Sequence, residues 1–208
     1  DRGRSRVTCK NHTLILGWNE ATLRTVVQIC FLRRGYILAC NRSIFSPIYY
    51  FLPFLKMKAS TSCANNPIVL MNNRLTKADM MEQLSAGLAS RGINPNRTKV
   101  GKDVIVRCGD PTSLHDLVRV GAHNASAILT MLSIQDDEER ESSDGRLRNG
   151  YTMRCMLALR SLILTSVTKQ HISMMNPDLR IVMQLMQPLP SLESAIFVNK
   201  KGGNVAIL

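Results

Sequence analysis

The chain lacks the spacing that marks several familiar protein classes. It holds six cysteines, Cys9, Cys30, Cys40, Cys63, Cys108 and Cys155, yet no C-x-x-C pair. Zinc sites and disulfide frameworks both need close, repeated cysteines, so neither is expected and a reducing compartment is the simplest reading. Cys30, Cys108 and Cys155 fall in apolar runs, where a free thiol acts as a small hydrophobe. No apolar stretch approaches the ~20 residues that span a bilayer. The longest candidate, residues 44–55, is interrupted by Pro47 and Pro53. No secretory signal opens the sequence. Acidic residues are missing altogether between Glu20 and Asp79, and the net charge is +12. That excess raises nucleic acid as a partner, since clustered Lys and Arg attract phosphate. The bases of this stretch, among them Arg24, Arg33, Arg34, Lys56 and Arg74, are scattered, and no groove-reading or base-stacking module is recognisable, so no nucleic-acid partner is expected.

What is present is a folding composition. With 208 residues and 45% hydrophobic content the chain suits one domain with its own core. Apolar runs alternate with helical patterns. Residues 13–16 read as a strand, and 21–32 place Leu23, Val26, Val27 and Cys30 at helical spacing. Residues 67–71 form a second apolar run ending in Asn72 and Asn73. Thr76 and Asp79 then give the T-x-x-D spacing of a capping box. Residues 103–107 read as a third strand, after which Asp110 stands as a helix cap with Pro111 at the first helical position and Gly121 as the stop. Residues 125–132 read as a fourth strand, about 144–164 as a long helix, and 179–185 as a fifth strand. Such alternation predicts a parallel sheet covered by helices on both faces, an α/β architecture of the Rossmann-like kind.

In that architecture the first strand-to-helix turn is where a dinucleotide fingerprint, G-x-G-x-x-G, would lie. Here the turn reads Gly17-Trp18-Asn19-Glu20-Ala21-Thr22. One glycine remains, Trp18 and Asn19 follow it, and Thr22 stands where the third glycine would be. Bulk fills the path a pyrophosphate would take. One segment breaks the rhythm: residues 35–66 carry six aromatics (Tyr36, Phe45, Tyr49, Tyr50, Phe51, Phe54) and no acid. They read either as an irregular surface insertion after the first helix or as translated non-coding sequence, with an aromatic hairpin that touches a membrane or partner as the functional alternative.

These motifs point to a family. Gly17-Trp18-Asn19-Glu20 after an apolar strand resembles the first turn of regulator-of-conductance (RCK) domains, whose G-W-S-E type turns also lack the dinucleotide signature. Cys108-Gly109-Asp110-Pro111-Thr112 resembles the G-D-P-T segment of the same domains, and residues 120–132 resemble their fourth strand. Ser143-Asp144-Gly145-Arg146 is similar to the S-D-A-R segment of the CASTOR/POLLUX branch of plant and algal cation channels. The resemblance implies an RCK N-lobe fold over residues 13–187, preceded by a linker over 1–12 and followed by residues 188–208 as the start of a second lobe. It implies a gating domain that forms a homo-oligomeric ring beneath a transmembrane pore domain of the same full-length protein. Membrane association then comes through that pore, with the nuclear envelope and calcium signalling as family implications, while this segment itself is soluble. Calcium-gated relatives carry acids where this chain has Met131, Gln184 and Met186. Nucleotide-binding relatives carry an acid where it has Asn72 or Asn73.

The candidate ligand residues are therefore Gly17, Trp18, Asn19, Glu20, Asn72, Gly109 and Asp110, all at the strand ends where α/β folds bind ligands. For Trp18 the competing reading is packing in the core. Asp136, Asp137 and Glu138 are the candidate metal ligands, for a divalent cation such as calcium; the competing reading is a solvated charge run before a helix. NAD is disfavoured as a cofactor. His115 and His123 have no nucleophile or acid at a useful spacing, so no catalytic residue is assigned and no enzyme activity is expected. The alternative is an NAD-type nucleotide-binding transport regulator or oxidoreductase, and a third reading is a stand-alone interaction module using the aromatic insertion.

Overall fold

A computed structural model describes residues 3–44, 66–93, 98–131, 150–168, 179–183 and 204–207; side chains are described in these ranges except for 33–44, 164–168 and 204–207. Six strands form one wholly parallel sheet: β1 (Thr13–Leu16), β2 (Ile68–Asn72), β3 (Val104–Cys108), β4 (Ala127–Thr130), β5 (Arg180–Met183) and β6 (Asn204–Ile207). Their order across the sheet is β3-β2-β1-β4-β5-β6. The winding reverses between β1 and β4, where Leu16 is paired with Met71 on one side and Thr130 on the other. That is the doubly wound order of a Rossmann fold, with its ligand crevice expected at the reversal.

Among the described residues four helices cover the sheet: α1 (Glu20–Ile44), α2 (Lys77–Ser90), α3 (Leu114–Arg119) and α4 (Gly150–Thr168), with a short 3-10 turn at Ala122–Asn124. The two faces follow from strand alternation. Ile15, Leu70 and Val106 point to the side of α1 and α2, where they meet Val26, Val27, Met80 and Leu84. Leu14, Leu16 and Met71 point to the other side, onto Leu117 of α3 and Cys155, Met156 and Leu159 of α4. β2 is buried at every position, as a central parallel strand must be. The methionines Met71, Met80, Met156 and Met183 fill core space.

Several boundaries differ from the sequence expectation. The first helix does not end at residue 32 but runs on to Ile44, through the first part of the expected insertion. Gly35 alone costs a helix only about 1 kcal/mol, and no proline interrupts the pattern before Pro47. Residues 45–65, the rest of that insertion, lie outside the described residues. Asp110 is not the cap of α3: Ser113 is, and the helix is six residues long. Asp110 instead accepts from the Thr112 amide two residues on, so Pro111 belongs to a turn before the helix. The long helix is described from Gly150, and residues 144–149, where its expected start falls, lie outside the described residues. Residues 204–207 pair with β5 in the same sheet, so the sheet extends past residue 187, where the sequence reading closes the domain. Cys30 and Cys155 are buried as expected, while Cys108 is half-exposed.

Candidate functional site

The turn between β1 and α1 closes on its own side chains. Gly17 is buried with φ at 104°, a conformation L side chains rarely adopt, and its amide donates to Met71 O at 2.9 Å. Asn19 then caps α1: its Oδ1 accepts from the Thr22 amide at 2.7 Å and the Thr22 hydroxyl at 3.0 Å, while Thr22 Oγ1 accepts from the Asn19 amide at 3.1 Å. This is a capping box with threonine in the place of the usual acid. The residue standing in for the third glycine is thus buried and fully engaged. Asn19 Nδ2 also donates to Met131 O at 3.3 Å, joining the turn to the end of β4. Trp18 packs against the α1/α2 core and donates through Nε1 to Gln83 of α2 at 2.8 Å. Glu20 faces solvent and pairs with Arg24 one turn on.

A second cluster occupies the ends of β2 and β3. Tyr151, in the first turn of α4, donates its hydroxyl to Asp110 Oδ1 at 3.0 Å and accepts from Asn73 Nδ2 at 3.2 Å. Asp110 Oδ1 also accepts from the Thr112 amide and hydroxyl, each at 2.9 Å. Arg154 stands 5.7 Å over the Tyr151 ring, a cation–π distance. Burial works to raise the Asp110 carboxyl, but Thr112, Tyr151 and the Arg154 charge together hold it below its ordinary value. The same arrangement, with burial first and then Asp110, pushes Tyr151 up. Burial pushes the Cys155 thiol up to about 12.

Gly109 sits in a tight cradle of side-chain ends. A Cβ there would lie 2.7 Å from Arg119 Nη2, 3.0 Å from Met71 Sδ and 3.1 Å from Asp116 Oδ2. The space above this backbone belongs to the Asp116–Arg119 ion pair, at 3.0 Å. Asn72 is buried at the end of β2, where its carbonyl accepts from the Gly109 amide at 3.0 Å. Its Nδ2, and Thr130 Oγ1 at the end of β4, are buried and find no hydrogen-bond partner among the described residues.

The expected ligand residues therefore fall into two groups along one sheet edge. Gly17, Trp18, Asn19 and Glu20 form the first turn; Asn72, Gly109 and Asp110 stand at the ends of β2 and β3. Asp136, Asp137 and Glu138 lie outside the described residues, as do Gln184 and Met186. Among the described residues no group of three or more His, Cys, Asp or Glu side chains is placed to hold a metal. His115 is solvent-facing, 3.5 Å from Asp116, and His123 Nε2 is 3.1 Å from the Asn124 side-chain Nδ2. Sequence reasoning missed Tyr151, Thr130, Asp116 and Arg119 as part of this edge. Tyr151 meets Asp110 across 41 positions, and nothing local marks that pairing.

No protein-family model matches the chain, and no curated protein matches it. Solved structures do. The chain is similar to the GsuK channel bound to NAD, at 15% identity and a TM-score of 0.47, over 97% of this chain and 22% of that one. It is similar to the GsuK RCK domain at 15% identity and a TM-score of 0.46, over 99% of this chain and 28% of that one. A terminal R domain from the myxalamid PKS-NRPS biosynthetic pathway is similar at 15% identity and a TM-score of 0.41, over 91% of this chain and 42% of that one. The chain thus spans between 22% and 28% of the length of the two GsuK chains. By its own strand order it is a Rossmann-like α/β domain.

Proposed function

We propose that the chain is a regulatory domain of a ligand-controlled cation channel of the CASTOR/POLLUX kind, working by conformational coupling to a pore rather than by chemistry. The observation that carries this reading is the self-closed turn from Gly17 to Thr22, in a sequence that resembles RCK domains there and at Gly109-Asp110-Pro111-Thr112. Backbone amides that a dinucleotide fold aims at a pyrophosphate are here committed to Thr22 and Asn19 side chains, and Trp18 is tied to α2. The rest of the edge, around Asp110, Tyr151 and Asn73, is a hydrogen-bonded polar network that on this reading binds and transmits. A ligand there shifts the balance between two conformations only through its different affinity for each, and copies of the domain arranged in a ring would add their shifts at the pore. Calcium or another divalent cation is the ligand class the reading leaves open, through Asp136, Asp137 and Glu138. NAD is not expected to bind. Sequencing the complete message that encodes this chain tests the proposal. Pore-forming helices in the same reading frame are the expected result, and a complete message without any would sink it.

A further inference from the structure

The segment before β1 is held along its length by one part of the fold. Ser126 donates from its hydroxyl to Asn11 O at 3.0 Å and from its amide to His12 O at 2.9 Å, and the Asn11 amide donates to Asn124 O at 2.8 Å. Further back, the Val7 amide donates to Arg119 O at 2.9 Å, and Val7 is buried in the α3/α4 core. Arg107 Nε donates to Ser5 O at 2.9 Å, and the Cys108 amide donates to Gly3 O at 2.9 Å, on the outer side of the edge strand β3. Each of these bonds lands between Arg107 and Ser126. Residues 3–12 therefore run from the start of the sheet to its ligand edge along the β3–α3 unit. Gly3 closes the path: its φ is +73°, and a Cβ would meet Cys108 Sγ at 3.0 Å and the Cys108 amide nitrogen at 3.2 Å.

The same unit carries the Gly109–Asp110 loop, and two side chains join the loop to the arm. Asp116 accepts from the Asp110 amide on Oδ2 at 2.9 Å and from Arg119 Nη2 on Oδ1 at 3.0 Å. Arg119 Nη2 also donates to Cys108 O at 2.6 Å, while the Arg119 backbone carbonyl holds Val7. The pair is mostly shielded, at 15% and 20% side-chain exposure, so solvent screens it little. We propose that residues 3–12 are a strap coupled to the Gly109–Asp110 loop through Asp116 and Arg119, so that displacing either end loosens the other. This goes beyond the gating reading and concerns only contacts within the chain, so it stands or falls independently of any pore or ligand.

Coupling of this kind is reciprocal. Amide hydrogen exchange on the full chain measures it in both directions, with the Ile15 amide in the central strand as the reference for global opening. In Gly3→Ala, the Asp110 amide is expected to exchange about tenfold faster relative to Ile15. In Asp116→Asn, the Val7 amide is expected to accelerate by a similar factor. If Gly3→Ala does not fold, Val7→Ala supplies the arm-side variant with the same readout at Asp110. Acceleration confined to Cys108 in the arm variant and to Asp110 in Asp116→Asn would overturn the proposal, as would equal acceleration of Ile15.

Discussion

At the scale of single residues, the candidate site is defined by side chains spent on the protein itself. Thr22 reads in sequence as bulk in place of a glycine; the structure adds that its hydroxyl and amide are both bonded to Asn19. Gly17 is the residue that permits the turn. Gly17→Ala should lower stability by about 1–3 kcal/mol, the range for an L residue held in a sparsely allowed conformation, as read by urea unfolding. An unchanged midpoint would mean the turn is not held at positive φ. His12 is buried at the start of β1, and burial, outweighing the nearby Cys9 and Val120 backbone, depresses its pKa, with the His123 charge acting in the same direction. The unfolded chain then binds the proton more readily, so stability is full above about pH 6.5 and falls as the pH drops below it toward the folded pKa. His123, also depressed by burial and by Arg6, adds to the same loss. His12→Leu should flatten the decline in melting temperature below about pH 6.5, and a slope identical to the parent would exclude His12 as a source.

At the scale of elements, local signals located well wherever one residue type had one use. The T-x-x-D pattern at Thr76 and Asp79 does form the capping box of α2, with both reciprocal bonds at 3.3 Å. Thr76→Ala should destabilise the fold by about 1 kcal/mol in thermal or urea unfolding. Less than a few tenths would show that the cap contributes nothing. Signals failed where two uses competed. Asp110-Pro111-Thr112-Ser113 contains two cap candidates, and a proline fits both a first helical position and a turn. The structure gives the cap to Ser113 and the turn to Asp110. β6 is four residues long and carries no sequence signal strong enough to place it; only its pairing with β5 does so. Aromatic content suggested an interruption from residue 35, but composition does not end a helix, and α1 continues to Ile44.

At the scale of the whole molecule, the sheet order puts the first turn, the β2 and β3 ends and the start of α4 on one edge. That edge was legible in sequence as a set of strand ends. Its cross-links, Tyr151 to Asp110 and Asn19 to Met131 O, were not, because they depend on how distant segments meet. Among the described residues no helix is long and apolar enough to cross a membrane. A pore, on the reading proposed above, is encoded elsewhere in the message, and full-length sequencing is expected to find it. The most direct test of a turn closed to dinucleotides uses Trp18, the one tryptophan of the chain, which stands in that turn. Corrected for the nucleotide's own absorbance, its emission should stay constant as NAD is added up to about 1 mM, a concentration where even weak sites, near −4 kcal/mol, begin to fill. A saturable change in that corrected emission would contradict the account and favour a nucleotide-dependent regulator or oxidoreductase.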